Sequence, residues 1–354
     1  MKSKTWSILL LILSLTALLL FGSVTALIDP FFHYHKPLPG LAYPIDDQRY
    51  QNDGIVRHFD YDAIITGTSL TENFKASQFD NLFGTNSVKV CFSGSTYYEL
   101  NNNLRRALSS NPNIRMVLMG IDSWFLFESP GALRTDAVFP TYLYDDNIFN
   151  DVQYLLNKQV LCDRTVGVLE YTRQGGKTTD FDSYSCWGNT DYGKTGKEIA
   201  IKNSPRQAPS QTPLSFTPQL QQRLVDNLTT NALALAEANP GVEFFYFFPP
   251  YSILYWDLLI RNQEFDRQLM AWEKATELLL EADNIHLFSF YTDFETSTNL
   301  DNYRDNVHYG QHINQLLLDR MASGQFQLTK ENSASHWQQV RQFYASYDYD
   351  SIYA

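Results

Sequence analysis

Five short, predominantly apolar runs, at residues 62–66, 88–92, 116–121, 244–248 and 285–290, restrict the fold of this chain more than any other feature. Turn-forming residues bound each run, and each is too short to be read as a helix of ordinary length. Because the runs are continuous rather than alternating, they suit strands buried on both faces. Between them apolar residues recur at helical spacing over about 71–83, 96–110, 218–238 and 263–282, and again over 311–323. Thr217 and Pro218 supply an N-cap and a first-turn residue, while Pro240 and Gly241 close the same helix. Strands alternating with helices predict a doubly wound α/β domain with a five-stranded, mostly parallel sheet.

The alternation is interrupted once. Residues 122–217 separate the third and fourth runs, with a helical piece near 146–160 followed by a polar, Gly- and Tyr-rich stretch. A connection this long inside a compact domain is usually functional or loosely ordered. It begins where the third strand ends, which predicts a lid over the carboxyl edge of the sheet, where open α/β sheets bind ligands. Residues 29–60 have no regular period and read as a lead-in, 61–328 as the α/β body, and 329–354 as a polar tail docked on it.

Residues 6–28 form an apolar run broken only by Ser, Thr and Gly22, with Lys2 and Lys4 ahead of it. It is long enough to cross a bilayer and longer than the apolar core of a cleavable signal. The expectation is an uncleaved signal anchor, with residues 1–5 cytoplasmic and the body extracytoplasmic. Small residues near Val24 and Ala26 leave cleavage open. In an exported body Cys162 and Cys186 could pair, whereas Cys91 reads as a buried free thiol. The net charge of −12 argues against a nucleic-acid partner. The three dispersed cysteines do not suggest a zinc finger.

Three fragments could carry chemistry at the carboxyl edge. Gly67-Thr68-Ser69-Leu70 follows the first strand and precedes a predicted helix, whose N-terminus could stabilise an alkoxide. Gly94 follows the second strand and could present its backbone N–H to an oxyanion. Asp305 and His308 follow the fifth, and a carboxylate three residues before a histidine can orient its ring as a base. An ordinary N-cap serine and a surface Asp and His are the bland alternatives. A metal site at His308, His312 and Asp305 is another.

In that order these fragments resemble the SGNH/GDSL hydrolase superfamily over about residues 60–323. The resemblance implies a three-layer, flavodoxin-like fold, with Ser69 as nucleophile, His308 as general base and Asp305 as its orienting acid. It also implies an oxyanion hole at Ser69, Gly94 and the third block, and no metal or organic cofactor. Two departures stand out: Thr68 replaces the Asp of Gly-Asp-Ser-Leu, and Asp122 in Gly120-Ile121-Asp122-Ser123 stands where the family has an Asn donor. An ionised Asp accepts hydrogen bonds and cannot donate to an oxyanion.

The anchor and external body are similar to a membrane-anchored branch that handles acyl groups on surface polymers, the lipoteichoic-acid D-alanyl-transfer and alginate O-acetylation proteins. That implies an acylated polysaccharide or teichoic-acid-like polymer as substrate, and a multispanning membrane acyltransferase as partner. Aromatic residues make up 15% of the chain. Tyr251 and Trp256 beyond the fourth strand, and Tyr142, Tyr144, Trp187 and Tyr192 in the insertion, could stack on sugar rings or pack a small lid, with Tyr251 and Trp187 the leading substrate contacts. The expected activity is that of a serine esterase or O-acyltransferase. A non-catalytic polymer-binding protein and a lipase-like hydrolase are the alternatives.

Overall fold

The computed structural model describes residues 3–353; Met1 and Lys2 of the expected cytoplasmic stretch, and Ala354, lie outside the described residues. The apolar run forms one helix, α1 (Ser3–Ile28), of which Lys4–Ile28 is long and apolar enough to cross a membrane. The lead-in departs from expectation. It contains a helix, α2 (Gln48–His58), that buries six consecutive residues from Gln51 to Val56 despite its polar sequence. Gln51 satisfies its own burial by donating to the carbonyls of Pro30 and Pro44, and Asn52 donates to Cys91 O. Polar residues therefore build this helix into the body, which an apolar period could not have indicated.

The body alternates β1 (Ala63–Thr66), α3 (Ala76–Phe83), β2 (Ser87–Lys89), α4 (Tyr97–Ser110), β3 (Met116–Gly120), β4 (Glu243–Phe248) and β5 (Ile285–Ser289). A sixth strand, β6 (Gln327–Leu328), pairs antiparallel with β5, giving the order β2-β1-β3-β4-β5-β6. The sheet is thus mostly parallel, as expected, but has six strands, with an antiparallel edge, rather than the five of the expected flavodoxin-like sheet. A two-residue strand is too short to leave a pattern in sequence. The other pairings are parallel, with Ala63 opposite both Ser87 and Met116, and Met116 opposite Glu243. Burial of nearly every strand residue on both faces explains why the runs are continuous.

Thr217 caps the following helix as expected, its side chain accepting from Leu220 N, although a π-helical turn at Thr229–Leu233 interrupts that helix. The predicted helix at 263–282 is Phe265–Leu279, preceded by a separate helix at Ile253–Arg261. Of the helical piece expected near 146–160 only Val152–Leu155 is a separate helix, and the longer helical stretch lies later, where a π-helical turn at Val160–Thr165 runs into a helix at Val166–Arg173. All three cysteines are free, so Cys162 and Cys186 do not pair.

The tail contains a helix, Ser333–Ser346, that buries Trp337, Val340 and Tyr344. Tyr344 stacks on Trp256 at 3.6 Å between ring centroids, and Trp337 lies 6.2 Å from Trp272. Much of the aromatic surplus is therefore spent in the core beneath this helix rather than at the sheet edge. Trp256 is fully buried and Tyr144 nearly so, which removes both as sugar platforms. Truncation of Tyr344 to Ala is expected to lower the unfolding free energy by about 3–5 kcal/mol. A shifted urea midpoint would show this, and an unchanged midpoint would mean that the tail helix is not part of the cooperative core.

Candidate active site

Ser69 sits in a tight turn that closes immediately after β1, where Thr68 O accepts both Thr71 N (3.0 Å) and Thr71 Oγ1 (2.7 Å). α3 begins only at Ala76, so the helix N-terminus expected beside Ser69 is replaced by this turn. The next two carbonyls are held from elsewhere in the chain. Ser69 O accepts Trp187 Nε1 at 2.9 Å, and Leu70 O accepts Asn314 Nδ2 at 2.8 Å and Tyr309 OH at 3.2 Å. Three consecutive carbonyls are thus fixed by the turn itself, by the insertion and by the C-terminal segment, and the Ser69 side chain gains a defined direction. Gly67 enters the turn at φ 139°, where a Cβ would lie 2.7 Å from the Thr71 side chain.

The loop after β5 arrives at the same place. Asp305 Oδ1 accepts the backbone N–H of Val307 (2.9 Å) and His308 (2.7 Å), while Oδ2 lies 2.8 Å from His308 Nδ1. His308 Nε2 is 2.9 Å from Ser69 Oγ. With Asp305 as acceptor the Nδ1–H tautomer follows, which leaves Nε2 to accept the serine proton. Burial by itself pushes the Asp305 carboxyl upward in pKa. The hydrogen bond and charge of His308, with the two backbone N–H groups, outweigh it and hold the group below its ordinary value. The structure therefore brings Ser69, His308 and Asp305 into one hydrogen-bonded chain. Both ring nitrogens of His308 are engaged in it, whereas His312 turns away to Asn302 Oδ1 (3.1 Å). Among the described residues no group of three His, Cys, Asp or Glu could hold a metal ion.

Gly94 adopts φ 58°, and a Cβ there would collide with Arg134 Nη1, which crosses the glycine to donate to Ser93 O at 2.8 Å. The left-handed backbone favours glycine, and any side chain there would have to push the Arg134 guanidinium aside. Among the described residues the backbone N–H groups of Ser69 and Gly94 donate to no protein acceptor.

Asp122 does not complete a donor set. Its carboxylate is buried and accepts Tyr251 OH (2.6 Å) and Trp124 N (3.3 Å) on Oδ1 and Thr68 Oγ1 (3.0 Å) on Oδ2. Burial pushes its pKa up, against the opposing effect of those donors and of His308. Asp122 and Thr68, the two departures from the motif, are therefore bonded to one another, which places Asp122 as a brace for the serine turn. Replacing Asp122 by Ala strands the Tyr251 and Thr68 hydroxyls and is expected to cost about 3 kcal/mol of stability, measurable by urea unfolding. Asn should cost less because its amide oxygen keeps one acceptor. A rise in esterase activity in Asp122→Asn would contradict the bracing role.

Tyr251 is corrected by the same contacts: it is fully buried, bonds Asp122 and Ser123, and cannot stack on a ligand. The segment containing it supports the histidine loop instead, since Ser252 N and Oγ both donate to Asn306 O, and Tyr303 OH donates to Pro250 O at 2.6 Å. Trp187 is half-buried and meets the His308 ring edge-on at 5.7 Å, with the exposed Tyr192 meeting it at 6.0 Å. Tyr142 is only partly buried and packs against the core.

Three supporting residues escaped sequence reasoning. Arg304 stacks its guanidinium 3.3 Å over Tyr192 and lies 3.7 Å from Asp305, tying the insertion to the histidine loop. Glu72, only three residues beyond Ser69, is buried with Gln48 Nε2 on its carboxylate at 2.7 Å. Lys89, buried in β2, donates to the carbonyls of Glu72 (2.6 Å) and Phe74 (3.0 Å) and so holds the far end of the serine turn. A lysine inside an apolar run was the available signal, because a buried ammonium must find acceptors.

No protein-family profile matches the chain, and no curated relative matches it. Among solved structures, a Streptococcus pneumonia protein described provisionally as a platelet activating factor aligns over 78% of this chain and 90% of its own, at 12% identity and a TM-score of 0.39.

Proposed function

We propose that this chain is a membrane-anchored serine esterase or O-acyltransferase of SGNH type, acting outside the cytoplasm on acyl esters of a surface glycan or teichoic-acid-like polymer. The observation that carries the reading is the relay Ser69 Oγ to His308 Nε2 at 2.9 Å and His308 Nδ1 to Asp305 Oδ2 at 2.8 Å. In the reaction Ser69 Oγ attacks the ester carbonyl carbon while His308 Nε2 takes its proton. The carbonyl oxygen becomes an oxyanion that the Ser69 and Gly94 N–H groups can bind, with the Arg134 guanidinium nearby. Collapse expels the alcohol, which takes the proton from His308, and leaves an acyl-serine. Water or a glycan hydroxyl, deprotonated by His308, then attacks the acyl carbon and frees Ser69.

Trp187 and Tyr192, at the rim of His308, are the proposed contacts for the sugar. The choice of polymer, and of a multispanning membrane acyltransferase as partner, rests on the resemblance in motif order and architecture. The test is fluorophosphonate labelling and turnover of a short-chain aryl ester by the full chain in detergent micelles. Serine labelling at Ser69 is expected, and a folded protein that resists labelling would sink the catalytic reading. Acyl-sugar formation on adding oligosaccharide acceptors would identify the transferase.

A further inference from the structure

The outer end of α1 is built into the body. Gly22, Thr25 and Ile28 are buried along one helix face, while Leu15, Leu18, Leu19 and Leu27 stay exposed. The insertion supplies the other wall of the groove so formed, through Ile148, Phe149 and Val152, which are 72%, 86% and 52% exposed. This groove, of about 490 Å³, is lined almost entirely by apolar side chains. A polar knot at the helix end, buried except for Tyr34, clamps the two walls together. Tyr154 OH donates to Asp29 Oδ1 (2.7 Å), Tyr34 OH donates to Asp151 Oδ2 (3.0 Å), and His33 Nε2 lies 3.2 Å from Asp151 Oδ1.

We infer that residues 148–156 form a wedge seated among the acyl chains of the outer leaflet, so that the body rests directly on the bilayer. This inference rests on the reading of α1 as a membrane anchor. Lys4 is the last charge before the apolar run, and about 20 helical residues, or ~30 Å, cross a hydrocarbon core. Counted from Thr5, the core ends near Val24, which places Leu15 to Gly22 in its outer half. Lipid that surrounds this part of α1 must fill a groove of which α1 is itself one wall. A surface as apolar and exposed as Ile148 and Phe149, flanked by Asn147, Asn150 and Lys158, has the side-chain pattern of an interfacial segment.

The test uses the full chain in phosphatidylcholine nanodiscs, with Cys162→Ser and Cys186→Ser removing the accessible thiols. Cys91 stays, since it is fully buried and its thiol is pushed up to about 12. Single cysteines carrying an environment-sensitive fluorophore replace Phe149, Leu13 on α1 and Glu281 on the body; all three are exposed, so none should disturb the core. Doxyl-labelled lipid should quench the Phe149 and Leu13 probes at least about threefold more than the Glu281 probe, with the reverse order for aqueous iodide. A Phe149 probe open to iodide while Leu13 remains quenched by lipid overturns the wedge and leaves the anchor standing. Iodide access at Leu13 as well overturns the anchor and the wedge together.

Discussion

Ser69→Ala is expected to lower ester turnover by about 10⁴-fold or more and to abolish fluorophosphonate labelling, with KM changed little. The size follows from the role: without Oγ no acyl-enzyme forms, and only the N–H groups and substrate binding remain. The fold should be indifferent to the change. Ser69 is half-buried, its hydroxyl bonds only His308 among the described residues, and its backbone is held through carbonyls that alanine retains. A stability loss beyond about 1 kcal/mol would therefore not be explained by the lost hydrogen bond. Labelling that persists in Ser69→Ala would move the nucleophile elsewhere.

Asp305→Asn should cost about 10³–10⁴-fold in kcat, because an amide can present an N–H to His308 and so favour the tautomer that cannot accept the serine proton. The same variant reports on stability with a defined sign. The Asp305 carboxyl is held below its ordinary value in the folded protein, so its ionised form favours folding. That contribution is complete above the unfolded value of about 4 and is lost as pH falls through the depressed folded value. Wild type should therefore exceed Asp305→Asn in stability at neutral pH, and the gap should close in acid. A gap independent of pH between 7 and 3 would mean that the carboxylate makes no net charge-dependent contribution.

How far the sequence was readable differs between elements for physical reasons. β1, β3, β4 and β5 were legible to within a residue or two because both of their faces are buried, which makes their runs continuous. α2 was not, since it buries Gln51, Asn52 and Asp53 through hydrogen bonds and ion pairs to distant segments rather than through an apolar stripe. The Asp305–His308 contact was foreseeable because it is local, spanning three residues. The approach of His308 to Ser69, 239 positions apart, was expected only because the strand pattern brings both to the carboxyl edge of one sheet.

The role of Asp122 shows where such reasoning stops. Its position was legible from the strand, but its task depends on Tyr251 from beyond β4 and Thr68 from beyond β1. Trp187 likewise reaches Ser69 O from a long segment without a regular period.

The sequence by itself determined the apolar span, the alternating body, the order of the candidate catalytic fragments and the local Asp-to-His pair. All of these are read from spacing, and spacing is a property of a contiguous segment. Tertiary structure alone decided that α1 shares a groove with the insertion, that Asp122 braces rather than donates, that Tyr251 is interior, and that the tail helix closes the aromatic core. Each of those depends on side chains brought together across fifty residues or more, where burial and hydrogen-bond partners are set by packing rather than by neighbours along the chain.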